Sequence, residues 1–330
     1  MRLDFQKTIS SSQMTLPIVC VAVLAVWFLV PLATGEEASS YIAVDYGLWR
    51  YFPSMLTVGY WNKGLCVLLG ALGVYLMAEL NNANVLLRIS SRLLSSLLAI
   101  LLVMAADFRS VNPGHVVMIM SLLSFFSLFA TYQLPSPMFT FTTYLLVSVA
   151  SLVFPKMMFF VPLYWGLQGY LRSFSLRCLI ASLLATVLPY WIYFSVSMAT
   201  ETMPAFVGHF LTLADLRWYD YSTITLRQAL PFVFFLILFI AGWVDFCRNS
   251  FLDKTRTRII YNVVITHGFF VLIFIALQPQ CYSVLLPLML VDTAIVYGHF
   301  FALNYTRFSH IFNLVILVLA IALWSYLALS

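Results

Sequence analysis

The sequence predicts an all-α polytopic membrane protein that crosses the bilayer about eleven times. The 330 residues are 63% apolar and only 9% charged, whereas a soluble domain is roughly 25% charged. The apolar residues form long blocks, many close to the roughly 20 residues that a helix needs to cross the hydrocarbon core. The blocks lack the alternation of polar and apolar residues that is typical of membrane-barrel strands, so they predict helices.

The first block is expected to be a retained helix, because Gly35-Glu36-Glu37 follows it without a small-x-small cleavage site. Several later blocks are shorter than a usual span and must be tilted, broken or packed inside the bundle. No repeat or linker divides the chain, so residues 1–330 are expected to form a single integral membrane domain. The predicted spans are 15–33, 64–80, 91–106, 115–131, 138–154, 157–171, 175–197, 229–246, 259–277, 282–303 and 310–328.

The distribution of Lys and Arg predicts a cytoplasmic N-terminus. With that orientation eleven basic residues fall on the inner side and six on the outer side, as the positive-inside rule requires. The basic residues are spread over many loops, which gives no indication of a nucleic-acid partner. The five cysteines are scattered, without a CxxC pair, and no GxGxxG or P-loop is present. No metal site or cofactor is therefore predicted, although a divalent cation is left open.

Two long outer loops, 34–63 and 198–228, carry most of the candidate chemistry. Glu37, Tyr41 and Asp45 would share one face if the start of the first loop is helical, and the second loop contributes His209 and Arg217. A short outer loop contains Asp107 and Arg109, and a minimal outer turn contains Lys156. Outer loops must be polar in any case. The convergence of carboxylates, cations and aromatic rings at one face nevertheless favours a functional site there.

The layout resembles that of the C-type (GT-C) integral-membrane glycosyltransferases, over roughly residues 15–228 or about seven helices. Members of that family often have an Asp-Glu-x-x-Tyr-like run after helix one, and this chain has Glu36-Glu37-Ala38-Ser39-Ser40-Tyr41. A second acidic position corresponds to Asp107. Lys156 and Pro162 are similar to a Thr-Lys-Gly-Pro-like turn that precedes an apolar run ending in Pro. Residues 229–330 would add four C-terminal helices.

This resemblance implies transfer of a sugar from a polyprenyl-phosphate carrier to an acceptor at the outer face. It implies Glu36, Glu37 and Asp107 as catalytic carboxylates. Substrate or phosphate binding would fall to a second group: Asp45, Tyr41, Arg109, Lys156, His209 and Arg217. Membrane lipids and the polyprenyl-phosphate sugar donor are the expected partners.

The chain also resembles an uncharacterised family of multispanning inner-membrane proteins from Bacteroidetes. The shared features are Leu80-Asn81-Asn82-Ala83-Asn84, a following Leu/Ser-rich helix, and an outer turn with Pro113-Gly114-His115. This similarity implies a multi-pass protein of the cell inner membrane.

His267 and Asp292 form a separate candidate site within the membrane. Each lies ten residues from the turn that joins spans nine and ten, so the two side chains are expected at the same depth and in contact. Ionisable residues inside a membrane usually face a partner or a cavity. A structural pair is the simpler interpretation. The functional interpretation is a proton relay, which would make the protein a transporter or flippase of a lipid-linked or envelope substrate. A non-catalytic membrane scaffold is the second alternative to the transferase.

Overall fold

The computed structural model describes residues 12, 14–34, 47–51, 59–89, 91–105, 110–216, 221 and 224–329. Within these residues the chain forms twelve α-helices and no strand. The first six are α1 (Thr15–Thr34), α2 (Gly59–Asn84), α3 (Leu93–Met104), α4 (Pro113–Ala130), α5 (Pro137–Val153) and α6 (Phe160–Tyr170). The other six are α7 (Leu176–Ala199), α8 (Met203–Ala214), α9 (Leu226–Asn249), α10 (Thr255–Leu277), α11 (Tyr282–Leu303) and α12 (Arg307–Leu329).

Each of the eleven predicted spans coincides with one of these helices. The additional helix, α8, lies in the loop 198–228. Seven helices are long and apolar enough to cross a membrane: α2, α4, α7, α9, α10, α11 and α12. This confirms a membrane-type, all-helical architecture. The number of eleven crossings, the cytoplasmic N-terminus, the GT-C-like fold and the division at residue 228 stay predictions.

Helix α11 is the centre of the bundle. It packs against α3, α4, α9 and α10. In its most apolar 18-residue stretch, 94% of the residues are buried inside the protein. Small residues permit this close packing. A Cβ added to Gly242 of α9 would lie 2.7 Å from the backbone of Val296 on α11. The two helices can therefore approach at this point only because residue 242 has no side chain.

The two shortest predicted spans are indeed accommodated by the bundle. Helix α3 has 12 residues, of which ten are buried, so the protein rather than lipid surrounds it. Helix α6 has 11 residues and continues from a 3-10 turn, Pro155–Phe159. These segments are too short to cross the bilayer as regular, straight helices in contact with lipid.

Side-chain contacts define two ends of the bundle. At the first, which we call the Lys156 end, Lys156 contacts the turn between α10 and α11. At the second, the Asp253 end, Asp253 contacts Arg88, which follows α2, and His299 near the end of α11. The described parts of the two long loops expected on the outer side, Gly47–Tyr51 and α8, lie at the Lys156 end.

Candidate functional site

Lys156 lies on the 3-10 turn Pro155–Phe159, which turns its side chain into the protein. The residue is only 3% exposed, although the sequence placed it on a surface turn. Its Nζ donates a hydrogen bond to Gln278 Oε1 at 3.0 Å and lies beside the Cys281 thiol. Among the residues described, no carboxylate lies within salt-bridge distance of this ammonium group. The near partners of this buried cation are thus a neutral amide and a thiol, and the Asp215 carboxylate is close enough to act electrostatically on that thiol.

Gln278 is a further residue of this site, and it was not among the residues predicted from the sequence. It lies in the turn between α10 and α11 and is 2% exposed. Its Oε1 accepts hydrogen bonds from Lys156 and from Gln280. Its Nε2 is buried and has no hydrogen-bond partner in the described part of the chain. The site therefore contains an excess of buried hydrogen-bond donors, which suits an anionic or oxygen-rich ligand.

His209 lies on α8 and begins a second polar chain at the same end. It is 3% exposed, and its Nε2 lies 3.3 Å from Tyr190 Oη, which in turn lies 2.8 Å from Ser151 Oγ. Burial lowers the pKa of His209 to about 4, because a charged ring would lose its hydration. His209 is consequently a neutral group at pH 7, which donates a hydrogen bond from one ring nitrogen and accepts one at the other.

Three segments gather around these two residues. The turn Pro155–Phe159 packs against α8, and α8 packs against the short 3-10 turn Gly47–Tyr51. Trp49 of that turn is 3% exposed and forms a small buried cluster with Cys66 and Val111. Helix α8 of the second long loop therefore contacts the Lys156 turn, and the described part of the first long loop contacts α8, at one end of the bundle.

Most of the predicted outer residues lie outside the described part of the chain. Lys156 and His209 are the two that are described, and the structure brings their segments together. The others are Glu36, Glu37, Tyr41, Asp45, Asp107, Arg109 and Arg217. Their proposed roles rest on the sequence alone. Among the residues searched, no group of three or more His, Cys, Asp or Glu could hold a metal ion.

His267 and Asp292 are in direct contact. Nδ1 of His267 lies 2.7 Å from Oδ2 of Asp292, and both side chains are almost completely buried. Three aromatic rings surround the imidazole: Phe125, Phe160 and Tyr164, with ring centroids 5.1, 5.7 and 6.0 Å away. The pair therefore joins α10 to α11 within an apolar layer contributed by α4 and α6.

Each residue of this pair has a second polar atom that does not take part in the bond between them. His267 Nε2 and Asp292 Oδ1 are buried without a hydrogen-bond partner among the described residues. Buried polar atoms of this kind are uncommon and require an explanation. Such a pair can act structurally, as a link between two helices, or chemically, as a proton acceptor and donor inside the membrane.

A third polar cluster, at the Asp253 end, was not predicted. Asp253 Oδ1 accepts from Arg88 Nε at 2.6 Å, and Oδ2 accepts from His299 Nε2 at 3.0 Å. Burial alone would raise the pKa of Asp253, but the hydrogen bonds and charges of His299 and Arg88 outweigh it and hold the pKa below its usual value. The carboxylate thus connects the loop after α2 and the loop after α9 with α11.

No known protein family and no curated protein matches the chain. Function is therefore inferred from the chemistry of the two buried sites.

Proposed function

We propose that this protein is a membrane transferase, which moves a sugar from a polyprenyl-phosphate carrier to an acceptor at the Lys156 end. This end would face the outside of the cell inner membrane. The buried Lys156 ammonium group, with its neutral Gln278 partner, is the observation that carries the proposal.

A buried cation is costly unless an anion or several hydrogen bonds compensate it. The Lys156 ammonium has three N–H groups, of which one donates to Gln278 and a second contacts the Cys281 thiol. The unpartnered Gln278 Nε2 adds a further donor. A phosphate group would supply oxygen acceptors and negative charge together. A polyprenyl phosphate also fits the setting, because its chain can remain in lipid while its head enters the protein.

The proposed reaction forms one bond and breaks one. The acceptor oxygen attacks the anomeric carbon, and the bond between that carbon and the phosphate oxygen breaks with its electrons passing to the phosphate. Lys156 stabilises the charge on the departing polyprenyl phosphate. A carboxylate, proposed to be Glu36, Glu37 or Asp107, takes the proton of the acceptor hydroxyl.

The remaining candidates would bind the substrates. Arg109 and Arg217 would contact the phosphate, while Asp45, Tyr41 and neutral His209 would hydrogen-bond to sugar hydroxyls. A protein with this activity would need no nucleotide site.

The test measures sugar transfer by the purified protein in liposomes that contain a polyprenyl-phosphate hexose, radiolabelled in the sugar. We expect wild-type protein to release label from the carrier in the presence of membrane-extracted acceptors. Lys156→Met keeps the length of the side chain and removes its charge, and should slow release by about 100-fold or more, as loss of a transition-state contact does. Gln278→Leu should slow it less.

Lys254→Met is the matched control, because Lys254 lies in the loop before α10 at the opposite end of the bundle. It should retain the wild-type rate. Equal rates for wild type and Lys156→Met would overturn the proposal, provided that each of these two proteins elutes as a single folded species.

A proton-coupled transporter or flippase of a lipid-linked or envelope substrate is the second candidate. It is favoured by the unsatisfied His267 Nε2 and Asp292 Oδ1 atoms, since intramembrane ionisable residues often belong to proton pathways. The assay is translocation of a fluorescent polyprenyl phosphate across liposomes, with and without a pH gradient. Gradient-dependent translocation that is lost in Asp292→Asn and retained in Lys156→Met would favour this candidate over the transferase. A scaffold would show neither activity.

A further inference from the structure

A large apolar cleft lies at a different place in the molecule, beside the C-terminal helix. Its volume is about 990 Å³, and helices α1, α3, α9, α11 and α12 line it. Helix α12 packs only lightly on the rest of the bundle, through α1, α9 and a few side chains of α11, among them Tyr297, which donates a hydrogen bond to Asn313. Only 11% of the most apolar 18-residue stretch of α12 is buried. The cleft is the space that this loosely packed helix leaves.

The walls of the cleft change in chemistry along its length. At the Asp253 end they include Arg307, His310 and Asn313. Further along α12 they are apolar, with Leu314, Leu317 and Ala320. On the opposite side they include Ile100, Leu101 and Met104. From Arg307 to Ala320 the helix rises by about 20 Å. The cleft is thus polar at one membrane surface and apolar from there into the bilayer.

The polar end of the cleft carries the guanidinium group of Arg307. Within the described part of the chain, neither Arg307 nor the ring of His310 has an acidic partner. Arg307 is also the first residue of α12, where the backbone N–H groups of a helix favour negative charge. A guanidinium group is well suited to phosphate oxygens, because its donors form a planar fork.

The cleft is open sideways to the membrane, since Ile18 and Leu314 in its walls are 66% and 64% exposed. Its occupant must enter from lipid, place an apolar chain along the apolar walls and present an anion to Arg307. An extended hydrocarbon chain with an anionic head meets these conditions.

We propose that this cleft binds one anionic glycerophospholipid from the leaflet at the Asp253 end. Its phosphate contacts Arg307 and His310, and one acyl chain lies between α3 and α12. The lipid fills the space between α12 and the bundle and so holds this helix in place. The proposal does not depend on sugar transfer, because the cleft and the Lys156 site lie in different parts of the structure.

Native mass spectrometry of the detergent-purified protein, titrated with dioleoylphosphatidylglycerol, tests the proposal. Dioleoylglycerol serves as the uncharged comparison with the same chains. We expect one tightly retained phospholipid and at least about fivefold weaker binding when Arg307→Gln and His310→Gln are combined, because each basic group near a membrane surface contributes to the attraction of anionic lipid. Arg177→Gln, an exposed arginine at the same end, should bind as wild type does.

A second pair of variants tests the cleft itself. Leu317→Trp would fill the apolar part of the cleft and should abolish the retained phospholipid. Val318→Trp changes a neighbouring exposed residue outside the cleft and should have no effect. Equal retention by both tryptophan variants, or equal retention of dioleoylglycerol and phosphatidylglycerol by wild type, would overturn the proposal.

Discussion

His267 on α10 and Asp292 on α11 are joined by a hydrogen bond of 2.7 Å that is shielded from solvent. The two helices are consecutive and are connected by a turn of four residues, 278–281. The bond therefore ties the middle of a helical hairpin, at a depth where lipid would offer neither residue a replacement partner.

The losses of stability caused by replacing His267 and by replacing Asp292 should be strongly non-additive. Removal of one member leaves a buried polar group without a partner, which costs about 3–5 kcal/mol. Replacement of both by apolar residues leaves no such group. We expect the thermal unfolding midpoint of His267→Leu to lie below that of the double variant His267→Leu/Asp292→Leu. Thr293→Val, at a neighbouring buried position, is the control. Additive losses in the two single variants would contradict a stabilising pair.

Asp253 should make the stability of the folded protein depend on pH in the acidic range. Since its folded-state pKa is lowered, its contribution is complete above the ordinary carboxyl value of 3.8 and is lost as the pH falls through the folded value. The difference in unfolding midpoint between wild type and Asp253→Asn should therefore shrink when the pH is reduced from about 6 to about 3. A difference that stays constant over this range would show that the charge of Asp253 has no effect.

His209 should contribute a second, separate pH dependence. Its pKa falls from 6.5 to about 4 on burial, so between these values the unfolded chain binds more protons than the folded protein. Stability should then decrease as the pH falls from about 6.5 to about 4, with a slope of at most one proton. His209→Gln preserves hydrogen bonding to Tyr190 without titrating, and its profile should be flatter. Identical slopes for both proteins would exclude a neutral buried His209.

Gly242 should tolerate no side chain. An added methyl group would lie 2.7 Å from the Val296 backbone, so Gly242→Ala must separate α9 from α11, at a cost of about 1–3 kcal/mol. Gly208→Ala is the matched control, because a Cβ there meets no atom within 4 Å. That change should leave stability equal or slightly higher, since Ala favours a helix over Gly. The comparison requires only thermal unfolding of the two variants in detergent.

Sequence patterns predicted the positions of the helices well, but they did not predict which helices are surrounded by protein and which face lipid. Both α11 and α12 are apolar, and α12 is the more hydrophobic, yet α11 is enclosed by protein and α12 is largely exposed. Lipid tails are as apolar as leucine side chains, so hydropathy cannot distinguish the two environments. The pairing of His267 with Asp292 was accessible because a tight hairpin places both at one depth. The contact of Gln278 with Lys156 could not be predicted, because a polar residue between two apolar helices is expected in any turn.

The enclosed position of α11 has a consequence for biogenesis. Its four main neighbours, α3, α4, α9 and α10, all precede it in the chain, so they have been synthesised before α11 leaves the ribosome. A segment that carries Asp292 is poorly suited to wait in lipid. Co-translational insertion thus allows α11 to pass directly from the translocon into a site formed by earlier helices, where His267 is already present. Helix α12 follows in the chain and lies on the outside of these helices.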